Sequence, residues 1–594
     1  MSDFNTAYYK SAAPSYHDFD LSGTVVSTHD FGIPYRPVFC REVVPGDKWD
    51  IELSCFTRLA SMALPTFGRC HILNRFFYVP CNIIHGAWNE FMSGQDISDL
   101  NAGLQRVSPS IPYITNKQLV ELFFDGESLI ASDPLADPTS TSWYDFALTV
   151  NGTVVKMLFT EHGRIFYNIL LGLGYSINWS LSDTTQMSAL PLIAYHKIAY
   201  DWLVDSAFVN SIDFDVQGLF TYTGGQITNN YLAYMTLVFA SCYEKDYLTS
   251  AWQSPNQVDS SSYGNPFKAS VPGWNSGSTG SLSLANNDNG STSLSTATLG
   301  GGVQAISQYG LNVLESISSF VRKRLFTGFR QDKQLESQFN LKLDPEIANR
   351  CYYIGTVDVP VQISDVMATA TTSDAILGEY AGKGIGYENG KFHFEPKNPE
   401  VGFLICVSAV VPEVHYCQGR SRELFHLNRH DFYCPEFEEI GPQAIRNDEV
   451  FARYTLDTDY TAGQNYGGNP SKIFGYAPRY AEYKCGHITD KLLGDYNFYK
   501  ENGSGVMNAF HFYRLFEKPS PNKSLANSYY FKTTEDANQF QRVFTEVVGS
   551  EHFNIMYDFK VHVQRLMLPL NSLPDIKGYG KYIKQKHMDD LLPG

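Results

Sequence analysis

Cys417, His426, His430 and Cys434 follow a C-x8-H-x3-H-x3-C pattern, and two thiolates with two imidazoles are a donor set that suits zinc. The pattern lacks the tight C-x2-4-C pair of zinc modules, and His430 and Cys434 flank the aromatic run DFYCPEF, which is expected to pack. No metal is assigned. The stretch GEYAGKGIG at 378–386 has the outline of a phosphate loop. Three residues rather than four separate Gly378 from Gly382-Lys383, however, and Gly384 stands where a hydroxyl would meet magnesium. It reads as a flexible loop. No G-x-S-x-G, H-E-x-x-H or strand-following G-x-G-x-x-G occurs. His71, His85 and His196 sit in apolar stretches and read as core histidines, while Glu438 and Glu439 read as a solvated face. No catalytic residue, cofactor or metal is expected, and the chain does not read as an enzyme.

Two basic clusters have the composition of a nucleic-acid contact. VRKRLFTGFRQDK contains Arg322, Lys323 and Arg324, and the tail KGYGKYIKQKH contains Lys577, Lys581, Lys584 and Lys586 with Tyr579 and Tyr582 interleaved. Ammonium groups between rings can hold phosphates while the rings stack on unpaired bases. The rest of the chain opposes this: 45 Lys and Arg against 62 Asp and Glu leave a formal charge of -17. Nucleic acid cannot be held by bulk attraction, so any contact is local or needs a basic partner.

The elements that would position such groups read mainly as strands. In WDIELSC, Trp49, Ile51, Leu53 and Cys55 alternate with polar residues, and Tyr557, Phe559, Val561 and Val563 do the same in YDFKVHVQ near the other end. VPGD at 44–47 is a turn signal. The apolar runs at 72–79, 232–240 and 401–411 read as strands buried on both faces, although periodicity alone leaves short buried helices open. Three stripes have helical spacing: Ile84, Ala87, Trp88 and Phe91; Leu192, Tyr195, Ile198, Ala199 and Trp202, with Pro191 suited to a first turn; and Leu311 to Leu325. Trp88, Phe91, Tyr195 and Trp202 are the rings expected in packing or at a subunit interface.

Aromatic residues make up 14% of the chain and charged residues only 18%, so wide areas of surface are uncharged, as they are where partner subunits cover them. A carbohydrate-binding or glycan-hydrolysing β-sandwich would share this bias, and it is the alternative reading. The ten cysteines are scattered without C-x-x-C and read as free thiols in a reducing cytoplasm. No secretory signal is recognisable, and no apolar run is long enough to span a bilayer, so membrane insertion is not expected.

Residues 254–303 are dominated by Gly, Ser, Thr and Asn, with Asp259, Lys268 and Asp288 as the only charges. Such a stretch cannot bury a core. It is a linker or a surface insertion, and strand-like sequence on both sides favours the insertion. The expected organisation is an N-terminal arm (1–40), a first scaffold part with helical insertions (41–253), the insertion (254–303), the rest of the scaffold (304–570) and a C-terminal tail (571–594).

Several stretches, in order, resemble the major capsid proteins of the Microviridae, the small single-stranded DNA bacteriophages, especially gokushovirus-like members. They are EVVPGDKWDIE (42–52), RFFYVPCNIIHGAWNEFMSG (75–94), SALPLIAYHKIAYDWLVD (188–205), YEKDYLTSAWQSP (243–255), QGRSRELFHLNRHDFYCPEFEEIGPQAI (418–445) and IFGYAPRYAEYK (473–484). The resemblance implies a single viral jelly roll, an eight-stranded antiparallel β-sandwich with long insertions that contain short helices. It further implies self-assembly into a T=1 icosahedral shell around a circular single-stranded genome. The implied partners are copies of the chain, genomic DNA, a small basic DNA-binding protein, a minor pilot protein and a host-cell receptor met by the 254–303 insertion. The implied location is the virion, assembled in the bacterial cytoplasm.

Overall fold

The structure, a computed structural model, describes residues 15–62, 69–94, 109–124, 146–150, 153–203, 216–236, 241, 243–252, 283–286, 292–295, 316, 319, 331–364, 383–397, 400–413, 415–416, 420–429, 431–446, 449, 473–484, 513–514, 544 and 551–567. Nine strands build its main sheet: His17–Asp20 (β1), Gly23–His29 (β2), Arg36–Val43 (β3), Lys48–Leu59 (β4), Cys70–Pro80 (β5), Tyr352–Ser364 (β6), Lys383–Phe394 (β7), Gly402–Pro412 (β8) and Phe553–Arg565 (β9). Their order is β1-β9-β4-β7-β6-β5-β8-β3, and β2 continues the edge that β1 forms on β9. Every pairing in this sheet is antiparallel.

The two strands read from strict alternation, β4 and β9, lie side by side. Val563 faces Trp49, Val561 faces Ile51, Phe559 faces Leu53 and Tyr557 faces Cys55, so the apolar sets of both strands fall on one face. A shift by one residue would turn one whole set into water. Trp49, Ile51, Leu53, Cys55, Tyr557, Val561 and Val563 have 0% exposure, and burying each such side chain contributes roughly 1.5–3 kcal/mol.

The sheet curls until its two ends meet. Phe559 of β9 packs on Phe39 of β3 with ring centroids 4.9 Å apart, and the Tyr557 hydroxyl donates to Ser408 Oγ of β8 at 2.8 Å. The two facing layers of a jelly-roll-like sandwich are thus halves of one hydrogen-bonded sheet. Its inner core holds Trp49, Phe76, Tyr78, Val359, Cys406 and Phe559.

A second core lies on the other face of β5 and β8. Phe77, Val79, Ile405 and Val407 meet the helices Asn116–Phe124 (α2), Glu161–Gly172 (α3) and Leu190–Ile198 (α4) there; the short helix Trp88–Ser93 (α1) precedes these in the chain. Burial on both faces explains why the sequence of β5 and β8 is apolar without alternation. Thr160 caps α3 by accepting the Gly163 N–H at 3.0 Å, and Pro191 occupies the first turn of α4.

Three expectations need correction. Residues 232–235 of the run read as a buried strand belong to the helix Asn229–Met235 (α5). Leu232 and Met235, three apart, are buried while Ala233 and Tyr234 are exposed, a helical pattern that neighbouring apolar residues concealed. Residues 383–386 of the supposed flexible loop begin β7, paired with Ile363 and Val361 of β6. A side chain at Gly384 would meet Leu59 at 2.8 Å, so close strand packing accounts for that glycine. The stripe from Ile84 to Phe91 is interrupted: a 3-10 turn covers Cys81–Ile83, and α1 starts only at Trp88. The stripe from Leu311 to Leu325 falls outside the described residues. Within 254–303, the described residues form a hairpin, Ser283–Asn286 against Thr292–Ser295.

Candidate assembly and nucleic-acid surfaces

Trp88 is buried and packs on Phe91 at 5.7 Å and His85 at 5.9 Å. Tyr195 on α4 is buried and its hydroxyl donates to the Tyr35 carbonyl at 2.7 Å, with burial pushing the phenol far above its ordinary pKa. Trp202 is partly buried, donates its indole N–H to the Cys351 carbonyl at 3.0 Å and lies 3.7 Å beneath the Arg350 guanidinium. Trp88 and Tyr195 belong to the second core, and Phe91 and Trp202 pack against it while staying partly exposed.

Trp202 sits in a π-helical turn, Ala199–Leu203, that continues α4. There Lys197 and Asp201, 3.5 Å apart, are almost wholly buried. Lys197 Nζ donates to the Asn349 carbonyl at 2.7 Å, and Asp201 accepts the Cys351 N–H at 2.9 Å. These bonds fasten the end of the helical layer to the start of β6. Buried charges persist only when partnered in this way.

A second charged cluster closes the end of the sandwich where β2 and β3 meet β9. Arg36 of β3 grips Glu551 with two bonds, 2.6 and 2.9 Å, and also donates to the Thr28 carbonyl. Burial alone would raise the Glu551 pKa, but the Arg36 bonds and charge outweigh it and hold the carboxyl at about 2. Asp30 faces His552 at 2.6 Å, and the Phe544 ring stacks on His552 at 4.2 Å. His29 is buried, and desolvation lowers its pKa to about 4. None of these residues was singled out from sequence, because their partners come from opposite ends of the chain.

Of the histidines expected in the core, His85 bonds the Ser110 carbonyl at 3.0 Å, and His196 is buried with its pKa lowered by desolvation to about 4. His71 differs. It is partly exposed between Glu413 and Asp358, at 2.7 and 2.9 Å.

The outer face of β9, β4 and β7 carries paired polar groups. Lys560 meets Glu52 at 3.2 Å, His393 meets Asp50 at 2.9 Å and Lys48 meets Glu395 at 3.4 Å. Paired charges leave little net field for phosphates. A different region exposes large apolar side chains. Leu424 (68% exposed), Leu427 (83%), Phe432 (54%), Tyr433 (48%) and Tyr483 (52%) cluster around the 3-10 turns Arg422–Phe425 and Pro435–Ile440. His426 stacks on Tyr483 at 6.1 Å, and Tyr433 packs on Tyr480 at 5.0 Å. The run DFYCPEF is expected to pack, yet its Phe432 and Tyr433 are about half exposed; the apolar residues of this region follow neither helical nor strand spacing.

Of the zinc candidates, Cys417 and His430 lie outside the described residues. His426 is engaged with these rings, and the Cys434 N–H donates to the Tyr480 hydroxyl at 3.2 Å. Among the described residues, no group of three metal-ligating side chains comes together. Arg322, Lys323, Arg324, Lys577, Lys581, Lys584 and Lys586 all lie outside the described residues. Strand β9, which precedes the lysine tail in sequence, ends at Arg565, which donates to Asp47 at 3.0 Å and stands opposite His17 of β1. Among the described residues, no helix is long and apolar enough to cross a membrane. The cysteines at 40, 55, 70, 81, 351, 406 and 434 are free thiols.

Comparison with known proteins follows the same lines. The chain is 25% identical over 528 residues to the Capsid protein VP1 of Bdellovibrio phage phiMH2K, covering 83% of this chain and 84% of that protein. It is 22% identical over 571 residues to the Capsid protein VP1 of Chlamydia phage 1, covering 86% and 89%. The carbohydrate-directed alternative gains nothing from these relatives. Residues 8–119 and 171–575 match the Capsid protein (F protein) family, and over that span the chain belongs to it: a structural protein of the virion, of the gokushovirus-like Microviridae type, rather than an enzyme.

Proposed function

We propose that the protein is the major subunit of a small T=1 icosahedral shell that encloses a circular single-stranded DNA genome and is assembled in the bacterial cytoplasm. The observation that carries this reading is the patch of Leu424, Leu427, Phe432, Tyr433 and Tyr483, which leaves large apolar side chains in water on an isolated subunit of a capsid family. Large apolar side chains exposed in one region are what a protein–protein contact covers. A closed shell requires several different patches on each copy.

The DNA would be met locally. The formal charge of -17 leaves Arg322, Lys323, Arg324 and the tail lysines 577, 581, 584 and 586 as the contacts, helped by a small basic protein, with a minor pilot protein as a further component. The insertion at 254–303, nearly free of charge, would contact the host receptor.

Purified protein, alone or with the basic partner, is expected to form uniform spherical particles in electron micrographs. A monomer under every condition tried would overturn the shell. Changing Lys577, Lys581, Lys584 and Lys586 together to Gln is expected to lower packaged DNA without stopping particle formation. Unchanged DNA content would remove the tail from that role.

A further inference from the structure

The edge strand β2 carries a short window of open backbone. Leu21 donates its N–H to the Val561 carbonyl at 2.8 Å, and the register continues through Gly23, Val25, Ser27 and His29, so these odd positions bond to β9. The even positions turn their N–H and C=O groups outward. At one end of the window the Ser22 N–H is taken by Asp20 Oδ1 at 2.9 Å. At the other end the Thr28 carbonyl is taken by the Arg36 guanidinium. Between these caps, the outward N–H and C=O groups of Thr24 and Val26 have no partner among the described residues, and Val26 is 75% exposed. Natural sheets guard such edges with Lys, Pro or a bulge, yet GTVVSTH contains none of them.

We infer that β2 pairs antiparallel with β2 of a second copy across a two-fold axis at Val25, joining the two sheets. In that register Thr24 faces Val26 of the second copy, and the two exchange both backbone hydrogen bonds; the symmetric pair does the same. All four open groups of each strand are then satisfied. Ser22 faces Thr28 of the second copy, and the one bond this pair cannot make would join the Ser22 N–H to the Thr28 carbonyl. Those are the two groups already capped within each subunit. An axis at Val26 would instead set the open Thr24 N–H against the occupied Thr28 carbonyl, so the caps select the register.

The inference rests on the shell reading, because it needs copies that meet in a closed assembly. Opposed residues of a non-hydrogen-bonded antiparallel pair have Cα atoms about 4.5 Å apart, within disulfide range. Particles assembled from Val25→Cys protein and then oxidised are expected to run as covalent dimers on a non-reducing gel. Val26→Pro removes an outward N–H without touching the bonds to β9, so particles are expected to be lost while thermal unfolding of the subunit is retained. Particles of Val25→Cys without covalent dimers, or particles of Val26→Pro in wild-type yield, would overturn the pairing and leave the shell standing. If Val25→Cys does not fold, Val26→Pro decides. If the wild-type protein forms no particles, the shell reading fails and the pairing fails with it.

Discussion

Replacing Glu551 by Gln keeps the shape of the side chain and removes the charge that Arg36 holds. The Arg36 side chain is 5% exposed and that of Glu551 14%, so water screens the pair little. Burial opposes ionisation of Glu551, but two bonds from Arg36, its charge and the Thr28 hydroxyl carry the pKa from 4.5 to about 2. At about 1.4 kcal/mol per pH unit this difference is worth roughly 3 kcal/mol to the folded state. The variant also leaves a buried guanidinium facing a neutral amide, which places the total cost at neutral pH in the range of roughly 3–5 kcal/mol. The sign with pH follows from the depressed value: the contribution is complete above 4.5 and is lost as pH falls towards about 2. Denaturant unfolding of wild type and Glu551→Gln in parallel should show a gap that is widest at neutral pH and closes with acid. A gap below about 1 kcal/mol at neutral pH, or one that does not change down to about pH 2, would refute the account.

His71 should give the opposite pH dependence. Burial lowers its pKa, but Glu413 and Asp358, one at each ring nitrogen, outweigh it and raise the value above 6.5. Its stabilisation is full below 6.5 and is lost as pH rises through the folded value, so His71→Asn should flatten the fall of Tm in that range. An unchanged slope would count against the double contact. Gly172→Ala should destabilise the fold by about 1–3 kcal/mol, because a Cβ there would stand 1.9 Å from the Pro37 carbonyl where α3 crosses β3. A neutral effect on thermal unfolding would show that α3 does not lie there.

The strands were legible where one face is buried and the other wet. Trp49 to Cys55 and Tyr557 to Val563 alternate because side chains point to opposite faces of a sheet, and burial sorts them by polarity. Where both faces are buried, as at 72–79 and 401–411, only length and composition distinguished a strand, and the same reasoning failed at 232–235. The helix there buries residues three apart beside other apolar residues, and the local pattern loses its period.

The rings of Trp88, Tyr195 and Trp202 were visible as stripes, but their partners were not. Asp201 and Cys351 meet only because α4 lies across β5 and β8, and Arg36 meets Glu551 only because the sheet closes on itself. The apolar patch at 424–433 and 483 was likewise hidden, since exposure depends on what other segments cover.

By itself the sequence determined which side of each alternating strand turns inward, since water rejects an apolar face wherever the strand happens to lie. Tertiary structure decided that β9, from the far end of the chain, lies between β4 and the β1–β2 edge, and therefore which backbone groups of β2 remain open. That choice depends on contacts between residues remote in sequence, and no local spacing encodes them.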